Sequence, residues 1–158
     1  MKFERYGHQN SIARIPTAIF REIEETIRNV SIPDGAIAPN MVTRPIRDSL
    51  TRNGWSEEVF LSRESRITIT GQKGDFGLAV QFGNISRIYA DLLKLQSLFL
   101  DATIRGAVVI VPARTLLASL SRNGGTDNRC NLDRIKRELP IFSLVITIPI
   151  VFYGVDRD

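Results

Sequence analysis

Arg122, Asn123 and Arg129 fall within nine residues, Ser121-Arg-Asn-Gly-Gly-Thr-Asp-Asn-Arg129, and Arg114 lies shortly upstream. An Asn amide offers a donor and an acceptor that match an adenine edge, and an Arg fork matches guanine. The glycine pair and its polar neighbours make the stretch a loop. Such a loop is either a recognition element or an ordinary solvent-facing connection. Arg87 follows an apolar run closely enough to sit at the start of a helix, where backbone N–H groups already favour anions. Lys73, within Gly71-Gln-Lys-Gly74, carries a point charge suited to a backbone phosphate. Asp91 and Lys94 are spaced i,i+3, which on a helix makes a local ion pair.

These side chains need a scaffold, and hydrophobic periodicity supplies one. Pro16 can open a helix running to about Val30, with Ile19, Ile23 and Ile27 as its apolar stripe. Ser31 to Pro39 is a turn-rich loop. A second helix spans Val42 to Arg52 and stops at Asn53-Gly54; Pro45 places its start near Arg44. Val59–Leu61 and Ile67–Thr70 read as strands, Gly71–Gly74 as a turn, and Phe76–Phe82 as a central strand. A helix follows from Arg87 to Leu100, whose Tyr89 and Phe99 are expected to pack in the core rather than stack on bases. Ala107–Val111 is a strand buried on both faces and is ended by Pro112. Helices are expected at Thr115–Ser121 and Leu132–Leu139. A last strand is expected from Val145 to Tyr153, with Pro149 marking a bulge or an edge. The expectation is an α/β fold: one domain over residues 1–158, with a mixed sheet of about five strands flanked by helices.

Composition narrows the chemistry. The 158 residues are 43% hydrophobic and 24% charged, ordinary values for a globular chain with one core. Net charge is +4, and 17 Arg stand against 4 Lys, a balance that fits a polyanionic partner. Cys130 is the sole cysteine and His8 the sole histidine. That argues against a structural zinc site, a Ser-His-Asp triad and a Cys-His dyad. The polar start lacks the apolar core of a signal peptide. The longest apolar run, Ile141 to Tyr153, falls short of the roughly 20 residues a membrane helix needs. A cytoplasmic location is the resulting expectation.

Val80-Gln-Phe-Gly-Asn84 followed by Asp91-Leu-Leu-Lys94 resembles the central strand and following helix of restriction endonucleases of the BglII/BamHI type, in the PD-(D/E)XK-like nuclease superfamily. Arg44 to Trp55 is similar to the helix ending in Gly-Trp before the sheet of that family, and Ala107–Pro112 to its strand ending in Pro. The similarity runs over roughly residues 16 to 153. It implies a homodimer that binds double-stranded DNA and hydrolyses a phosphodiester with Mg²⁺ within a short recognition sequence. The alternative is an inactive DNA-binding or interaction protein that keeps the fold.

The resemblance also implies a ligand set. Hydrolysis needs an activated water and charge neutralisation at the leaving oxygen, both supplied by a hard cation on carboxylates and carbonyls. In the family an Asp on the hairpin and a Glu on the central strand serve, with a Gln or Glu two residues on. Gln81 matches the last position, Ala79 replaces the Glu, and a gapless alignment sets Thr70 at the Asp. Asp75 is the nearest acid and the candidate metal ligand if the hairpin is shortened; otherwise it is a turn residue. Ala79 is a natural loss, an engineered change, or a sign that Glu57, Glu58 or Glu64 supplies the acid. The same resemblance sets Asp91 and Lys94 near the active site and the dimer contact.

Overall fold

The computed structural model describes residues 1–35, 37–120 and 128–158. Its centre is a five-stranded sheet in the order β1-β7-β6-β5-β4, built from β1 (Lys2–His8), β4 (Gly71–Lys73), β5 (Phe76–Val80), β6 (Gly106–Pro112) and β7 (Ile150–Asp156). Strands β5, β6 and β7 are parallel, and β1 and β4 flank them antiparallel. The parallel step from β5 to β6 is made through helix α4 (Ile85–Leu100), the crossover that parallel pairing requires. A separate two-stranded sheet joins β2 (Val59–Ser62) to β3 (Ile67–Ile69).

Side-chain alternation along the strands divides the core into two layers. Leu78, Val108, Ile110, Val151 and Tyr153 face helices α2 (Thr17–Asn29) and α3 (Asn40–Arg52), where they meet Ile23, Ile27, Ile46 and Leu50. Ala79, Val109, Val111 and Phe152 face the opposite way, onto Ile88, Leu92 and Leu95 of α4 and Ile135 of helix α6 (Leu132–Glu138). Every residue of β6 is buried; full burial of one such aliphatic chain contributes about 1.5–3 kcal/mol. Gly77 lets α4 approach, because a Cβ there would lie 2.7 Å from Leu95 Cδ2.

The mixed five-stranded sheet is as expected, but its membership differs. The expected strands 59–61 and 67–70 form the side sheet instead. Gly71–Gly74 is not only a turn: Gly71–Lys73 pairs with Phe76–Leu78, and Gly74, at φ +53°, makes the reversal. β1 fills the far edge, and its burial follows no strict alternation, so periodicity did not mark it. The final strand begins at Ile150, not Val145. Pro149 precedes it, and β7 lies inside the sheet between β1 and β6. Leu139–Phe142 instead form a 3-10 turn, and Ile141, Leu144 and Val145 are exposed. Helix α3 starts at Asn40, a turn earlier than Pro45 suggested, and holds that proline inside. Between β6 and α6, the short helix α5 covers Arg114–Ser119.

Candidate functional site at the end of the central strand

Gln81 leaves β5 where the backbone still pairs with β6, its N–H donating to the Ile110 carbonyl at 2.9 Å. Its side chain is used at both ends. The amide nitrogen donates to Asp91 Oδ2 at 2.9 Å, and Oε1 accepts the Gly83 N–H at 3.0 Å. A Cβ at 83 would fall 2.9 Å from that Oε1, so a larger residue would push the Gln81 amide aside. Lys94 then donates to the other oxygen of Asp91 at 2.8 Å. Both partners are mostly shielded, so the pair is better placed than an exposed one. The ion pair read from the i,i+3 spacing is therefore present, and it is tied to the strand end.

Asn84 caps α4 by accepting the Ser86 N–H at 2.9 Å. The chain returning at 128–130 pairs with this turn: Ile85 N–H donates to the Asn128 carbonyl and Cys130 N–H to the Gly83 carbonyl. Asn84 and Arg129 form an antiparallel bridge, and Arg129 Nη1 donates to the Leu120 carbonyl. Cys130 itself is buried, and desolvation pushes its thiol up to about 12. Arg87 is exposed one turn into α4, its stem near Gly83. Gln81, Asn84, Arg87, Asp91, Lys94 and Arg129 thus form one neighbourhood. Arg122 and Asn123 lie outside the described residues. Arg114 joins Arg129, Arg134 and Arg137 in a groove of about 560 Å³ that also holds Asp133 and Glu138.

Two of the expected site residues are elsewhere. Asp75 precedes β5 at the opposite end from Gln81, exposed and paired with Arg105 at 3.0 Å. Lys73 donates to Glu22 Oε2 at 2.5 Å and to the Asn53 carbonyl at 2.6 Å, while the other Glu22 oxygen accepts Trp55 Nε1–H. Lys73 therefore secures the hairpin to α2 and α3.

The positions aligned with the metal acids do not fit a hard cation. Ala79 is 1% exposed within the apolar layer under α4 and offers no donor atom. The Thr70 hydroxyl accepts the Val80 N–H at 3.0 Å, and Gln81 Oε1 is held by Gly83. Among the described residues, no group of three or more His, Cys, Asp or Glu converges. Glu57 and Glu58 do line a cleft of about 650 Å³ together with Thr70, whereas Glu64 is exposed on the β2–β3 turn. Arg44 and Arg47 of α3 line the same cleft and were not anticipated. The signal was there: Asn40, Thr43, Arg44, Arg47 and Thr51 make a polar stripe opposite Val42, Ile46 and Leu50.

The family profile of restriction endonuclease BglII/BglIII matches residues 3–155. Among solved structures, restriction endonuclease BglII complexed with a DNA 16-mer aligns at TM-score 0.82 and 16% identity, covering 100% of this chain and 79% of that one. Free BglII aligns at TM-score 0.74 and 18% identity, covering 100% and 81%. No curated protein matches.

Proposed function

The chain belongs to the BglII/BglIII restriction endonuclease family, and from that footing we propose that it binds duplex DNA at a short specific sequence. The observation that carries this is the meeting of Asn84, Arg87 and Arg129 at the end of β5. Arg129 and Arg114 continue into the arginine groove and face backbone phosphate. Arg122 and Asn123 lie outside the described residues; their side-chain chemistry suits base edges. Lys94 acts indirectly, by holding Asp91 and through it Gln81. Two copies bind a palindromic site as a homodimer, a reading supported by exposed Leu93 and Leu100 on α4. A DNA target goes with work in the cytoplasm, and no described helix is long and apolar enough to cross a membrane.

Restriction endonucleases of this kind use a divalent metal ion, Mg²⁺ by expectation. The donor set at Thr70, Ala79 and Gln81 does not fit one, so no hydrolytic step is routed through these residues. The test is selection of bound duplexes from a randomised pool, followed by affinity measurement across salt concentrations. Recovery of one enriched sequence, with affinity falling steeply as salt rises, is the expected result. Salt-insensitive or absent binding would sink the proposal.

A further inference from the structure

Three positions on the central strand and its hairpin would have to present oxygen to a metal, and each is already committed. The Thr70 hydroxyl accepts a hydrogen bond from the β5 backbone. Ala79 is enclosed in a layer formed by Ile69, Ile88, Leu92 and Leu95. Gln81 uses its oxygen on Gly83 and its nitrogen on Asp91. Asp91, the carboxylate to which Gln81 donates, is matched by the Lys94 ammonium. The internal cation thus neutralises the carboxylate to which Gln81 is tied, and the apolar layer fills the space beside it.

We propose that this chain recognises DNA without a divalent metal ion and leaves the phosphodiester intact. The inference rests on the DNA-binding reading above. Magnesium demands near-octahedral oxygen ligation and gives up water reluctantly. One amide oxygen and one hydroxyl, each already accepting a backbone N–H, with an alanine in place of a carboxylate, supply no charged ligand. A bound duplex would then persist for its own dissociation time, with no product release to end the encounter.

The experiment uses the full chain as purified. Its melting temperature is recorded with EDTA, Mg²⁺, Mn²⁺ and Ca²⁺, since an ion that binds only the folded state must raise it. Duplexes retained from a randomised pool are recovered under each condition, their affinities compared, and both strands examined on a denaturing gel. The expected result is one melting temperature in all ions, the same enriched sequence with EDTA as with Mg²⁺, and unbroken strands. A metal-induced rise in melting temperature overturns the inference, as does affinity about tenfold tighter in metal. Metal-dependent cutting overturns it too, and loss of that cutting in Glu57→Gln or Glu58→Gln would assign the metal to the cleft those residues line. No retained duplex in any ion brings down the DNA reading as well, whereas retention that requires metal sinks only this inference.

Discussion

Gln81 and Asp91 join the end of the central strand to the middle of helix α4 through a single 2.9 Å hydrogen bond. The bond is half of a relay, because the same amide holds Gly83 and the same carboxylate holds Lys94. The turn that carries Asn84 is therefore positioned from two sides.

Replacing Gln81 by Ala frees a backbone N–H and one carboxylate oxygen in a partly buried site. The expected cost is about 1–3 kcal/mol, which for a chain of this size lowers the melting temperature by about 2–4 °C per kcal/mol. Thermal unfolding of Gln81→Ala beside wild type checks it. An unchanged melting temperature would mean that the relay does not hold the turn.

Ala79→Glu pushes a longer, ionisable chain into the apolar layer beneath α4. Overpacking alone costs about 1–3 kcal/mol, and desolvation of a carboxylate adds to it. Urea unfolding should show the midpoint falling. A variant as stable as wild type would show that the layer opens easily and that position 79 still has access to solvent.

Lys73→Ala should weaken the fold and spare DNA binding, because the ammonium is held by Glu22 and the Asn53 carbonyl. A loss of about 1 kcal/mol is expected for a half-shielded pair with these hydrogen bonds. Arg114→Ala should behave in the opposite way. Stability stays within error, and the salt dependence of DNA affinity shrinks by about 0.9 in log–log slope. Paired denaturation and salt titrations separate the two; a flattened slope in Lys73→Ala would contradict the assignment.

Tyr89 donates to Glu138 Oε2 at 2.5 Å, and Arg134 binds the other oxygen of the carboxylate. Glu138 is thereby held below the usual carboxylate range, the Tyr89 hydrogen bond being the largest cause, ahead of an opposing burial effect and of Arg134. Tyr89 is raised above its ordinary value, by burial first and then by Glu138. A lowered acid stabilises the fold above its unfolded pKa, and that contribution fades as pH falls through the folded value. A raised phenol stabilises below its unfolded pKa near 10, and its contribution fades as pH rises beyond that. The stability difference between wild type and Tyr89→Phe should therefore be widest at neutral pH and narrow toward both ends. A constant gap in denaturation across pH would show that the two groups are not linked.

The part of the fold that was legible in sequence is the part set by local pattern. The apolar run through Phe82 and the helical spacing from Arg87 onward announce β5 and α4, although α4 begins two residues earlier at Ile85, and Ala107–Val111 announces β6, because each carries its own period or punctuation. β1 was not legible, since its order comes from pairing with β7 at the far end of the chain. The ion pair of Lys73 was not legible for a related reason: its partner Glu22 lies 51 residues away. The last strand was placed too early because Val145 and Ile146 are apolar in sequence, although only Ile146 is buried. At the site, the identity of Ala79 was plain, but its enclosure under α4 was not, because enclosure is a property of neighbours.

The two outer strands of the main sheet differ from those within it. β4 has three residues, and β1 carries Lys2, Glu4 and Arg5 along an otherwise open rim. Short or charged rims are poor templates for a foreign strand. Any second copy of this chain is thereby steered away from annealing rim to rim into a continuous ribbon and toward meeting through side chains. An encounter of that kind can be reversed.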